Sequence, residues 1–116
     1  TKVEDELCLT LQVETEDALP HLEAIAGLDG VDGVFIGPAD LAASLGYPGQ
    51  PAHPKVQEAV VDATRRIAAA GSAPGFLSAD VEYAQSISDA GATFLGIDLD
   101  IVAMKRAVTS RLAEFG

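Results

Sequence analysis

The chain is short of several things that would define a function. Its 116 residues hold one cysteine, no tryptophan, two histidines and seven Lys and Arg against eighteen Asp and Glu. With Cys8 alone, neither an internal disulfide nor a thiolate metal cluster can form, and the expectation is a buried structural thiol in a protein of the reducing cytoplasm. The net charge of −11 leaves no basic stripe beyond Arg65 and Arg66, so nucleic acid and anionic membrane surfaces are poor partners. No run approaches the roughly 18 apolar residues of a membrane span, and no basic segment followed by a hydrophobic signal core opens the sequence. The first residue is Thr1 rather than methionine and a strand-like run follows almost at once, the pattern expected of a fragment.

What is present is one folding unit's worth of hydrophobic chain, 48% apolar and 22% charged. From Leu7 to Val13 the apolar Leu7, Leu9, Leu11 and Val13 alternate with Cys8, Thr10 and Gln12, and Glu14 continues the polar set, the period of a strand with one greasy face. Residues 16–26 carry Ala18, Leu19, Leu22, Ile25 and Ala26 at helical spacing, with Gly27 in the place of a left-handed cap. A second strand at 31–36 leads through Gly37 and Pro38 into a short helix stopped by Gly46. A loop of three prolines and Gly49 follows, then a long helix from Pro54 to about Ala70, closed by Gly71. Strand 73–77 with helix 80–90, and strand 93–97 with helix 100–114, complete four β/α units, with Asp80 and Asp100 as expected N-caps.

Alternating strands and helices predict a parallel sheet with right-handed crossovers. A doubly wound sheet is apolar on both faces, whereas Thr10, Gln12 and Glu14 share one face of the first strand. That asymmetry predicts a (β/α)8 barrel, with Gly33, Gly37, Gly75 and Gly96 relieving crowding inside. A closed barrel takes about 250 residues, so four units amount to about half of one.

Reactive groups of such barrels stand where strands end. Glu14 ends the first strand and Asp40 lies three residues beyond Gly37, so adjacent parallel strands bring two carboxylates together, and a divalent cation would reconcile them. Oxygen ligands without nearby His or Cys favour Mg²⁺ or Mn²⁺, with Co²⁺ as a further option. On spacing alone the bland readings stand beside this one: Glu14 as a solvated residue past a strand, Asp40 as a complement to a helix dipole. The segment Gly37-Pro38-Ala39-Asp40 offers free backbone N–H groups at a helix start for a small carboxylate or phosphate, and Gln12 points the same way as Glu14. His53, before Pro54, reads as a capping or loop-ordering residue, and His21 as an exposed one. Asp98 is assigned no chemistry.

Leu11-Gln12-Val13-Glu14-Thr15, the block from Gly30 to Leu41 ending in Gly37-Pro38-Ala39-Asp40-Leu41, Gly46-Tyr47, His53-Pro54, Ala73-Pro74-Gly75 and Gly91-Ala92 together resemble the HpcH/HpaI aldolase family in order and over essentially the whole chain. The resemblance implies the C-terminal half (residues 1–116) of a TIM-barrel, metal-dependent pyruvate aldolase. It implies Glu14 and Asp40 as metal ligands, the amides of Ala39 and Asp40 as the cradle for the carboxylate of pyruvate, and Gln12 lining the site beside Gly37 and Pro38. The implied reaction is aldol cleavage or addition of 2-keto-4-hydroxy acids, giving pyruvate and an aldehyde, in a homo-oligomer that is commonly hexameric. The family's catalytic His and the Arg that contacts the keto oxygen have no match here, so the isolated chain is expected to have little or no activity. Ile97-Asp98-Leu99-Asp100 departs from the family, which more often has a glycine near Asp98. Two alternatives are a noncatalytic half-barrel that binds a cation or small acid, and a response-regulator-like domain. The second lacks its early acidic pair, its acceptor Asp and its late Lys.

Overall fold

Period-two alternation sets the sheet. In the computed structural model, which describes residues 2–116, strands β1 (Thr10–Val13), β2 (Gly33–Ile36), β3 (Ala73–Leu77) and β4 (Phe94–Gly96) form one parallel sheet in the order β1-β2-β3-β4. Each strand lies beside its successor, without the reversal of order that marks a doubly wound sheet. Because every connection moves one strand along in the same direction, and parallel crossovers as a rule share one hand, the connecting helices fall on one face.

Helices α1 (Leu22–Ala26), α2 (Pro38–Ser44), α3 (Pro54–Ala69), α4 (Val81–Asp89) and α5 (Asp100–Phe115) connect and follow the strands. The central helix α3 packs on β2, β3, α1, α2 and α4. Its Val56, Val60, Ala63 and Ile67 are fully buried against a sheet face made of Val13, Val34, Ile36 and Phe76. Sealing each larger apolar side chain in this way contributes about 1.5–3 kcal/mol. Arg66 on α3 ties down α1 with a two-pronged pair to Glu23, at 2.5 Å from Nε to Oε1 and 2.7 Å from Nη2 to Oε2, and also donates to the Leu19 carbonyl. The guanidinium holds the Glu23 carboxyl down at about 2 from its usual 4.5.

Local signals mostly behave as read. Asp80 caps α4 by accepting from the Tyr83 amide, and His53 caps α3 by accepting from the Lys55 amide through Nδ1 while stacking on Tyr47 at 3.8 Å. Gly46 and Gly71 take the left-handed conformation that ends their helices.

Five expectations need correction. The first helix is split: residues Glu16–His21 form a 3-10 turn containing Pro20, which has no amide to donate, and α-geometry starts only at Leu22. Gly27 is not left-handed (φ −89°), because its amide still bonds back to the Glu23 carbonyl. The left-handed residue is Gly30, three positions on. Cys8 is exposed rather than buried, since the ladder begins at Thr10 and the chain ahead of it lies outside the packed face. Asp100 is the first residue of α5 and not its N-cap, which is Leu99. Finally, α5 does not cover the sheet: none of its residues is buried, and Ile101, Met104, Val108 and Leu112 are exposed. Among the described residues, no helix is long and apolar enough to cross a membrane.

Candidate active site

The face of the sheet turned away from the helices is where the polar residues of β1 emerge. Thr10, Gln12 and Phe94 are exposed there and Phe35 is half-buried. Gln12, Phe35, Gly75 and Phe94 fall in one register row across all four strands. The Phe94 ring crosses this row at 5.9 Å from Phe35 and lies so close over Gly75 that a Cβ there would meet it at 2.1 Å. Glycine at 75 thus makes room for an aromatic floor.

The C-terminal end of β1 carries the first candidate ligand. Glu14 and Gln12, two residues apart on one face, are joined by a 2.5 Å bond from the Gln12 amide nitrogen Nε2 to Glu14 Oε2. Gly37 follows β2 immediately, and its amide donates to the Val13 carbonyl. Its φ of −84° is open to any residue, so conformation does not demand a glycine there. Space does: a Cβ would stand 2.7 Å from Glu14 Oε2, 2.8 Å from Gln12 Nε2 and 2.9 Å from Glu14 Cβ.

From Gly37 the chain turns into α2 with Pro38 in its first turn, where no amide is needed, and places the exposed carboxylate of Asp40 in the same turn. The first helical bond runs from the Leu41 amide to the Gly37 carbonyl, so the amides of Ala39 and Asp40 precede the helical ladder. The structure therefore gathers Gln12, Glu14, Gly37, Pro38, Ala39 and Asp40 at neighbouring strand ends. Among the described residues no group of three or more His, Cys, Asp or Glu that could hold a metal ion forms, and Asp40 lines the neighbouring cleft whereas Glu14 does not.

A cleft of about 460 Å³ opens beside this group. Gln12, Phe35, Asp40, Pro51, Ser78 and Tyr83 are among the residues that line it. The part taken by Pro51, Ser78 and Tyr83 went unread in the sequence. Tyr83 sits on the buried side of α4 with Ala84 and Ile87, and a tyrosine in a core position carries a polar handle that needs an explanation. Asp98 is engaged elsewhere: it accepts from the Leu99 amide and from Arg106, and both bonds hold its carboxyl below the usual range. Neither histidine lines the cleft.

The sequence profile of the HpcH/HpaI aldolase/citrate lyase family matches residues 2–107. A hydroxypyruvate/pyruvate aldolase of Sagittula stellata is 48% identical over 114 residues, which are 98% of this chain and 45% of that protein. A 2-keto-3-deoxy-L-rhamnonate aldolase of Klebsiella pneumoniae is 50% identical over 111 residues, 96% of this chain and 42% of that protein. The crystal structure of an HpcH/HpaI aldolase/citrate lyase family protein from Burkholderia cenocepacia superposes with a TM-score of 0.87 at 34% identity, over 96% of this chain and 43% of that one. The chain spans less than half the length of the curated relatives it matches. Its singly wound sheet is of the TIM-barrel type found in these aldolases. With a matching profile along nearly its whole length and a matching fold, the chain belongs to the HpcH/HpaI aldolase/citrate lyase family.

Proposed function

We propose that the chain is the C-terminal half of a (β/α)8-barrel aldolase that cleaves or forms 2-keto-4-hydroxy acids, with pyruvate and an aldehyde as its other reactants. In this reading Glu14 and Asp40 hold a divalent cation, Mg²⁺ or Mn²⁺ with Co²⁺ also suited, in a cytoplasmic enzyme. The observation that carries it is the absence of a side chain at Gly37, which leaves the Glu14 carboxylate and Gln12 room at the strand ends, one turn from Asp40. Two carboxylate ligands leave coordination positions for water and substrate, and all-oxygen donors suit a hard cation. The names of the relatives, aldolases of pyruvate, hydroxypyruvate and a keto-deoxy sugar acid, support the substrate class.

Each residue then has a task. Gln12 holds the Glu14 carboxylate by its 2.5 Å bond and keeps one ligand in place before substrate arrives. The amides of Ala39 and Asp40 receive the carboxylate of the 2-keto acid at the start of α2, with Gly37 and Pro38 shaping the approach. Phe35 and Leu77 supply apolar wall that limits water around the reacting carbons. When bound, the cation supplies Lewis acidity, drawing electron density from the keto oxygen as the carbon–carbon bond breaks. The group that moves the proton is not among this chain's cleft residues: His53 caps α3 and His21 is exposed on the outer turn. The chain by itself therefore binds but turns over little or no substrate. A homo-oligomer, hexameric as in the family, belongs to the same reading and is supported by the apolar row on α5 that nothing among the described residues buries.

Calorimetric titration of Mn²⁺ with and without oxalate or pyruvate tests the proposal. Binding that the acid tightens, and that both Glu14→Ala and Asp40→Ala abolish in a folded chain, is the expected result. Binding unaffected by either substitution overturns the ligand assignment.

A further inference from the structure

The segment after β1 and the helix after β2 are tied together twice. The Gly37 amide donates to the Val13 carbonyl at 3.1 Å, and the Glu16 amide donates to Ser44 Oγ at 2.9 Å. These two bonds close a ring of chain that runs from Val13 to Glu16 on one side and from Gly37 to Ser44 on the other. Glu14 lies on the first side and Asp40 on the second, so the bonds that close the ring set how far apart the two carboxylates stand.

A serine inside a helix commonly turns its hydroxyl back on the carbonyl one turn earlier. Ser44, the last residue of α2, instead serves an amide 28 positions away. Thr15 stands at the N-cap of the 3-10 turn but makes no side-chain cap bond, so Ser44 supplies an acceptor at a helix start that its own cap leaves open. Asp40 and Ser44 are four residues apart in α2 and therefore share a face. The face that reaches the residues after Glu14 is the one that carries Asp40. Leu41 and Ala42 anchor the buried side of α2, and the Gly37 bond fixes where β2 ends. Neither sets how near the exposed side of α2 comes to the end of β1; the Ser44 bond does.

We propose that Ser44 is a positioning residue for the two-carboxylate site, which by holding the Glu16 amide fixes the separation of Glu14 and Asp40 and so the size of cation they accept. The inference rests on the metal reading above and adds what tunes that site. Mg²⁺ demands near-octahedral oxygens at about 2.0–2.1 Å, whereas Ca²⁺ accepts looser geometry at about 2.3–2.6 Å. A closed ring favours the smaller ion. With the Ser44 bond gone the carboxylates can spread, and that advantage is lost.

The test compares the parent chain with Ser44→Ala and Ser44→Thr. Free Mn²⁺ is counted by its paramagnetic signal, and Mg²⁺ and Ca²⁺ are titrated in as competitors. Ser44→Ala is expected to weaken Mn²⁺ and Mg²⁺ roughly three- to tenfold, as loss of one hydrogen bond does, and Ca²⁺ by less than about twofold. Ser44→Thr keeps an oxygen at the same place and should restore the parent's order of affinities. An equal loss for all three cations would mean that Ser44 only supports the fold, and would overturn the proposal. So would a Ser44→Thr chain that behaves like Ser44→Ala, because the acceptor oxygen would then not be the cause. Unchanged cation binding in Ser44→Ala, with Glu14→Ala and Asp40→Ala still abolishing it, overturns the role of Ser44 and leaves the metal site standing. Mn²⁺ binding that is absent from the folded parent, or indifferent to both carboxylate substitutions, overturns the metal reading and this proposal with it.

Discussion

The two faces of one sheet divide the work of this molecule. Toward the helices, Val13, Val34, Ile36 and Phe76 are sealed almost completely. One residue along, on the other face, Gln12 and Phe94 stand exposed and glycine recurs at 33, 37, 75 and 96. The helical face is bound by volume, since every side chain there displaces water and fills space. The open face is bound by clearance, because a methyl group at Gly37 or Gly75 would run into Glu14 or Phe94. Stability and chemistry can be carried by the same four strands because period-two alternation keeps the two sets of side chains apart.

The largest effect that would break this division is on the sealed face. Phe76→Ala should cost about 3–5 kcal/mol in denaturant unfolding, and Phe94→Ala on the open face only on the order of 1 kcal/mol, because its ring is partly solvated already. Equal costs would mean that the open face also builds the core. Next comes Gly37→Ala, expected to cost roughly 1–3 kcal/mol by crowding and to weaken Mn²⁺ binding at the same time, seen in paired melting and titration experiments. A Gly37→Ala chain that binds Mn²⁺ normally would show that clearance around Glu14 is not what the site requires.

A smaller effect probes the tie between α1 and α3. The folded Glu23 carboxyl sits at about 2, below its ordinary 4.5, so its stabilisation is complete above the ordinary value and disappears as pH falls through about 2. Glu23→Gln should therefore lower the melting temperature slightly near pH 6, and the gap from the parent should close on acidification toward pH 2. The gap stays small because the carboxylate is half-exposed and screened. Smallest of all is the stability change for Asp40→Asn, within about 0.5 kcal/mol for an exposed carboxylate, while calorimetry registers the loss of Mn²⁺ binding.

Much of the architecture was legible in residue order. The third strand lies at 73–77 as its pattern predicts, Pro54 starts the long helix, and Asp80 and His53 cap the helices they precede. These features depend on groups a few positions apart. The misreadings share the opposite cause. Cys8 continues an alternating pattern, yet no ladder or helix reaches it. Helix α5 is amphipathic in sequence, but amphipathicity does not say which surface receives the apolar side, and no residue of this helix is buried. Gly27 stands where a left-handed cap belongs, yet its bond to Glu23 keeps φ negative. At the candidate site, Gln12, Glu14, Gly37, Pro38, Ala39 and Asp40 could be singled out because strand ends and a helix start are local features. The wall containing Pro51, Ser78 and Tyr83 could not, since its parts come from separate segments.

By itself the sequence determined the alternation of β/α units, the polar side of the first strand and the caps, because hydrogen bonds and side-chain direction over about four residues decide them. Only the tertiary structure decided that Gly37 stands against Glu14, that Phe94 floors the open face across Gly75, and that Tyr83 Oη is buried in the wall of the same cleft as Asp40. Each of these is a meeting of residues from different strands and helices. Such distances exist only after the strands take their register and the helices close over one face of the sheet.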